Sequence, residues 1–352
     1  MASDPHQEGR ARPRGADAAD AQPEGTVATA SRKAHELAHR LTAVVRRTSP
    51  TGSRARMPSV RVAVVDVGAN TLRLLVADSA GGTLEPVREE RRRTGLGEDV
   101  ERYGRLTEEK IAHSADAARR EVRRARKLGA ARIEVVVTSP WRNAENGDEL
   151  VGALIEATGV RARPLTAEEE AELGFAGALA MTPVDAPSVA VCDVGGGSTQ
   201  LAIGSGDAPS WLRSIPLGSL RLTERCLGSN PSKKGELACA REAAAAQFEG
   251  LTPPLPAAAL ATGGTARALR RFGLDRLDGP GLDAAIEELA LLRVGQRAKR
   301  ARADHERART LPAGAIILAE VQRRLQVPME IADGGVREGV CTGLAAAEAA
   351  TA

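Results

Sequence analysis

The chain has 352 residues, 42% of them hydrophobic and 27% charged, with a formal net charge of +3, a length that accommodates two ordinary domains. The positive excess lies in the first 56 residues and aromatics make up only 2% of the chain, which argues against a basic, base-stacking nucleic-acid-binding body. No run approaches the ~20 apolar residues of a membrane span, and the N-terminus lacks the apolar core of a secretory signal.

We therefore read a cytoplasmic protein. Its four cysteines, Cys192, Cys226, Cys239 and Cys341, have neither CxxC nor metal-ligand spacing, so they read as buried free thiols. Residues 1–59, rich in Ala, Arg, Pro and Gly, read as a disordered tail. Within the tail, Leu37, Leu41 and Val44 carry the spacing of a short helix over 31–47. Met57 marks an alternative translation start.

At Val60 the pattern changes. VRVAVVDV (60–67) is an almost continuous apolar, β-branched run, as in a buried strand, and LRLLVAD (72–78) reads as its return strand. Residues 88–104 form a mixed charged stretch. A helix is predicted over 106–128, opened by Thr107 and closed by Gly129. A strand follows at 132–138, a helix at 147–158, a short strand at 160–164 and a helix at 168–179. The pattern then recurs: SVAVCDV (188–194) is again a strand ending in Asp, and QLAIGS (200–205) returns. Beyond it we read a helix at 232–249, a strand and glycine turn at 258–265, helices at 282–303 and 312–325, a strand near 329–332 and a terminal helix. Such alternation in both halves predicts an α/β fold. The Pro-containing segment 183–187 divides it into units at 60–184 and 185–352, with the terminal helix near 338–350 free to pack back on the first.

The chemistry is expected in the turns. Asp66-Val67-Gly68-Ala69-Asn70-Thr71 combines a strand-end carboxylate, a glycine that admits close backbone approach and neutral donors for an anion. Asp193 to Thr199 repeats this with Gly195, Gly196, Gly197, Ser198 and Thr199. Either loop alone reads as an ordinary turn. Two in equivalent places of a repeated unit predict a clamp for a phosphate chain across a cleft. Gly263 and Gly264, before a helix N-terminus, form a third candidate anion loop. In the run Glu168-Glu169-Glu170-Ala171-Glu172 most carboxylates serve the helix dipole, and one facing the cleft would activate water. Arg142 offers a planar guanidinium for phosphate oxygens, or simply lies on the surface.

Seven blocks in chain order carry a resemblance: VAVVDVGANTLRLLVAD, TSPWRNAENGDEL, LTAEEEAELGFAGAL, VAVCDVGGGSTQLAIG, PLGSLRLTE, ATGGTARAL and DGGVREGV. Over about 60–345 the chain resembles the exopolyphosphatase/guanosine pentaphosphate phosphohydrolase (Ppx/GppA) family, in its short two-domain form. The resemblance implies an actin-like ATPase (ribonuclease H-like) fold, with two similar domains flanking a cleft. It implies Mg²⁺-dependent removal of terminal phosphate from polyphosphate, or of the 5′-phosphate of guanosine pentaphosphate, by a protein that is often a homodimer. Carried over by position, Glu170 is the catalytic glutamate, Asp193 a metal residue, and Arg142 the cleft arginine. Asp66, Gly68, Asn70, Thr71 and the 195–199 loop are implied to bind phosphate.

The sequence departs from the family pattern in four places. Gln200 stands where a metal-binding or catalytic Glu is usual. Pro140 and Trp141 stand beside Arg142, where other residues are usual. Gly95 replaces an Arg, and Glu172 stands where Arg is usual. The lost charge at Gln200 keeps open a phosphate-binding regulatory protein, and an ATP-dependent kinase of the same superfamily is the more distant rival.

Overall fold

A computed structural model describes residues 59–206 and 208–350; the rest of the tail, with the helix expected over 31–47 and Met57, lies outside the described residues. The first sheet contains β1 (Val60–Val67), β2 (Thr71–Ala80), β3 (Thr83–Arg93), β4 (Arg132–Val137) and β5 (Ala162–Pro164), in the order β3-β2-β1-β4-β5. The pairs β1–β2 and β2–β3 are antiparallel, while β1–β4 and β4–β5 are parallel. The second sheet contains β6 (Val189–Val194), β7 (Thr199–Ser205), β8 (Ala208–Ile215), β9 (Ala258–Thr262), β10 (Arg276–Leu277) and β11 (Met329–Ile331), in the order β10-β11-β9-β6-β7-β8. Leaving out the two-residue strand β10, the second sheet repeats the first strand for strand, in order and direction. This is the repeated α/β arrangement that the two Asp-x-Gly units implied, in the actin-like form that the family resemblance implied.

The helices are α1 (Leu96–Tyr103), α2 (Glu108–Lys127), α3 (Ser139–Asn143), α4 (Gly147–Thr158), α5 (Ala167–Met181), α6 (Ser219–Cys226), α7 (Lys234–Gln247), α8 (Gly263–Phe272), α9 (Gly279–Leu291), α10 (Val294–Arg300), α11 (His305–Leu325) and α12 (Val336–Ala349). Thr107 caps α2 by accepting from the Lys110 N–H, as its position predicts. With few aromatics, the core is built from Ala, Val, Leu and Ile; Phe175 and Phe248 are its largest fully buried side chains. Among the described residues no helix is long and apolar enough to cross a membrane.

Four readings change. The charged stretch 88–104 contains most of β3 and all of α1: the charged run REERRR suits an edge strand paired on one side only and otherwise solvated. β8 and α6, between 206 and 231, carry no period clear enough to read from sequence. The helix expected over 282–303 breaks at Leu292, and α11 starts at His305, capped by Asp304, and runs through Pro312. Cys226 and Cys239 are not free thiols: α6 and α7 lie side by side with these Cα atoms 5.8 Å apart, joined by a disulfide. Spacing rules did not find this pair because helix packing, not sequence separation, brings it together. Cys192 and Cys341 are free and buried, and burial raises both thiols well above their usual range. Chain purified without reductant and then denatured should titrate two thiols; four would show that the pair stays reduced.

Helices α5 and α12 cross between the two sheets. α5 follows the last strand of the first sheet yet packs Phe175 and Ala178 on Val189, Val191 and Ala202 of the second. α12 ends the chain and returns Val340 and Cys341 to Val62, Val64 and Leu75 of the first. Their crossing is backbone to backbone: a Cβ at Gly177 would lie 1.9 Å from the Gly335 carbonyl oxygen and 2.5 Å from the Gly339 nitrogen. Gly177→Ala should therefore cost about 1–3 kcal/mol in urea unfolding, the usual penalty of overpacking. An unchanged midpoint would show that the helices can spread.

Candidate active site

Both Asp-x-Gly turns form at the ends of the central strands, and they form alike. The Gly68 N–H donates to the Thr71 carbonyl and the Gly195 N–H to the Ser198 carbonyl, each at 3.0 Å. Asp66 lies opposite Arg73 across β1–β2, as Asp193 lies opposite Gln200 across β6–β7. The loops meet: a Cβ at Gly196 would sit 3.4 Å from the Ala69 Cβ, and one at Gly218, just before α6, would fall 2.3 Å from the Gly196 backbone. A side chain at Gly218 would collide with the 195–197 turn, while Gly196 meets Ala69 of the other loop at van der Waals distance.

Between them lies a cavity of about 110 Å³, lined by Asp66, Gly68, Asn70, Thr71, Glu170, Asp193, Gly195, Gly196, Ser198, Gly263 and Gly264 among the expected residues. The wall also includes Thr138, Ser139, Arg73, Arg267, Arg307, Arg337 and Glu338, which sequence reasoning did not single out. Signals for some of them were present. Arg73 occupies the repeat position of Gln200, Arg267 follows Gly263 by one helical turn, and Arg337-Glu338 follows the DGG turn. Arg307 had none, because α11 reaches the cleft only through tertiary packing.

Four expected residues lie off the wall. The Thr199 hydroxyl donates to the Leu217 carbonyl at 2.6 Å. Gly197 packs against Ser139 of α3. The Gln200 amide nitrogen donates to the hydroxyls of Ser198 (2.8 Å) and Ser214 (3.3 Å). Arg142 donates to the Leu165 carbonyl at 2.8 Å and to Glu170 Oε2 at 2.5 Å. Arg142 thus holds Glu170 rather than lining the cavity. In the acidic run, Glu169 closes a capping box with Thr166, whereas Glu170, one residue on, turns inward.

The site has two poles. On the acidic side, a Cβ at Gly335 would lie 3.8 Å from Asp193 Oδ2, 3.9 Å from Glu338 Oε2 and 4.0 Å from Thr262 Oγ1, so three oxygens surround one small volume. The Gly263 Cα approaches so closely that a Cβ there would be 2.1 Å from Asp193 Oδ1, in a backbone with φ +81°. Asp66 Oδ1 and Thr262 Oγ1 are buried without a hydrogen-bond partner. Burial pushes Asp66 up to about 6, against the pull of Arg73 and Arg337. Burial likewise raises Asp193, against Arg73, Arg267 and Arg307. Glu170 is pushed up to about 7 by burial, opposed by Arg142 and reinforced by Asp66 and Asp193.

On the basic side, the guanidinium groups of Arg307 and Arg73 both close over the Gly264 Cα, 2.6 and 3.0 Å from where a Cβ would be. Burial, then the neighbouring arginines, lowers Arg73 to about 9; burial, then Arg91, lowers Arg307 to about 10. These guanidinium groups repel one another, and a bound polyanion would relieve them.

An all-oxygen donor set suits a hard cation such as Mg²⁺. Among the described residues no three carboxylates close on one point at ligating distance. That suits an ion held by one or two carboxylates together with substrate phosphates and water. Beyond Gly264 the cleft opens into a second cavity of about 430 Å³, which shares Arg73, Arg267, Arg307 and Arg337 and adds Arg91, Arg271 and Arg302.

A sequence profile of the Ppx/GppA phosphatase family matches residues 75–348. The chain belongs to this family. Exopolyphosphatase 2 of Mycobacterium tuberculosis is 32% identical over 322 residues, covering 82% of this chain and 100% of that protein. Exopolyphosphatase 1 of Mycobacterium bovis is 28% identical over 299 residues, covering 80% and 87% of the respective chains. The crystal structure of the Aquifex aeolicus Ppx/GppA family member aligns with a TM-score of 0.70 at 25% identity, covering 83% of this chain and 99% of that one. As a Ppx/GppA phosphatase, this chain is a hydrolase of phosphate bonds, and its two-pole cleft is where such chemistry has the groups it needs.

Proposed function

We propose that the protein is an exopolyphosphatase, removing terminal phosphate from inorganic polyphosphate in the presence of Mg²⁺. The arginines shared by the first cavity and the second carry this reading: Glu89 and Asp304 in the second wall pair with Arg337 and Arg91, while Arg73, Arg267 and Arg307 line both cavities and match a substrate that repeats its charge along its length. The alternative substrate, guanosine pentaphosphate, presents a base, and neither cavity has an aromatic side chain in its wall to stack on it. The exopolyphosphatase names of the mycobacterial relatives support the same choice.

In the mechanism we propose, Arg73, Arg267 and Arg307 receive the phosphate chain, and the turns at 68–71 and 195–198 direct N–H and hydroxyl donors at its terminal unit. Glu170 orients a water for in-line attack on the terminal phosphorus and takes its proton as the P–O bond to the shortened chain breaks. Arg142 fixes the Glu170 carboxylate through Oε2 and is a positioning residue. Asp66 and Asp193, together with substrate phosphates and water, would hold Mg²⁺, which would supply charge neutralisation at the phosphate oxygens.

Phosphate release from long-chain polyphosphate and from guanosine pentaphosphate, measured side by side with Mg²⁺, tests this. Polyphosphate should be the preferred substrate. Preference for the nucleotide would overturn the substrate, and no release from either would overturn the hydrolase.

A further inference from the structure

A third cavity, of about 320 Å³, shares no lining residue with the first two. It lies between the C-terminal end of α6, the loop at 227–232, α10 and the start of α11. Arg297 forms part of its wall and is 2% exposed. Its Nε donates to the Leu289 carbonyl at 2.6 Å and its Nη2 to the Ser232 hydroxyl at 3.1 Å. Both acceptors are neutral. Among the described residues no carboxylate lies within ion-pair distance of this guanidinium, and burial alone lowers it to about 10. Support of the last turn of α9 explains the Nε contact, but a neutral amide could supply that. It does not explain an always-charged group held out of water without a counter-ion, which is costly unless something balances it.

The rest of the wall carries several polar groups, and the one carboxylate in it, Glu224, is paired with Arg309. Asn230 Oδ1 accepts from the Val294 N–H at 2.8 Å, which fixes its amide nitrogen as the remaining donor. The Ser229 hydroxyl and the His305 ring add further polar groups. Arg309 also lines the cavity but is already matched by Glu224 and Glu306, so it leaves the charge of Arg297 unanswered.

We propose that this cavity is a binding site for a small tetrahedral oxyanion of the phosphate class, anchored by Arg297 and independent of the catalytic cleft. The anion supplies the buried negative charge that the fold omits.

The probe is inorganic phosphate, titrated calorimetrically without Mg²⁺ into full-length protein carrying Arg73→Ala, Arg267→Ala and Arg307→Ala, which remove three of the four arginines that line both cleft cavities. One site per chain should remain. Adding Asn230→Asp keeps an acceptor for the Val294 N–H but places a carboxylate in the cavity with Arg297. It should weaken phosphate binding at least tenfold and raise the melting temperature in phosphate-free buffer. Arg297→Met should abolish the binding; if that variant does not fold, Asn230→Asp decides alone. Absence of phosphate binding in the cleft-stripped protein would overturn the proposal, as would an affinity unchanged by Asn230→Asp. Neither outcome bears on hydrolysis, which is read in the unstripped protein.

Discussion

Glu170→Gln should lower turnover on polyphosphate by about 10²–10⁴-fold, the usual contribution of a general base, while leaving KM within a few-fold. The amide keeps the shape and polarity of the side chain, and the arginines that receive the phosphates are untouched. It cannot accept the proton of the attacking water. The pH profile gives a second readout. Burial, only partly offset by Arg142, pushes Glu170 up to about 7. A base must be ionised to act, so kcat/KM of the wild type should rise with pH up to about 7 and then level, and the residual rate of the variant should lack that limb. Removing the opposing cation in Arg142→Met should move the limb to higher pH. Full activity in Glu170→Gln would reassign the base. A limb unmoved by Arg142→Met would sink the positioning role.

The second large effect joins function to stability. Asp66→Asn should nearly abolish Mg²⁺-dependent hydrolysis, yet in a chelator the variant should be more stable than the wild type at pH 8. Asp66 is pushed up to about 6 because burial disfavours its charged form more than Arg73 and Arg337 favour it. The folded value lies above the unfolded one. Its contribution to stability is therefore fully present below about pH 4 and lost as pH rises through about 6. At pH 8 the shift corresponds to roughly 3 kcal/mol of destabilisation, which the amide does not suffer. The gain should vanish near pH 4. Mg²⁺ with a phosphate ligand should stabilise the wild type, because it binds the folded state alone, and should stabilise the variant far less. Thermal melts at both pH values, with chelator and with Mg²⁺, check this. A variant that is less stable in chelator at pH 8 would mean that the arginines already satisfy the Asp66 carboxylate.

Much of the site could be read from the chain because its turns are local. Asp66 to Thr71 and Asp193 to Ser198 are short segments whose glycines, carboxylates and hydroxyls announce an anion loop, and their repetition announced two similar sheets. Glu170 followed from family position. Periodicity could not separate it from its neighbours; the structure does, by committing Glu169 to the cap of α5 and turning Glu170 inward. Arg142 shows the opposite limit. Its position was legible, but its partner was not, and the partner makes it a support for Glu170 rather than part of the cavity wall.

By itself the sequence determined the strand–turn units, the α/β class and the phosphate loops, since these depend on backbone preferences and hydrophobic runs within about ten residues. Tertiary structure alone decided which charges meet. Arg73, Arg267, Arg307 and Arg337 come from β2, α8, α11 and α12, and it takes the packing of α8 on α11, the crossing of α5 with α12 and the contact between the two loops to bring them to one cleft. The same holds for Cys226 with Cys239 and for the solitary charge of Arg297. An electrostatic environment is a sum over everything packed nearby, and packing between distant segments leaves no periodic trace in the chain.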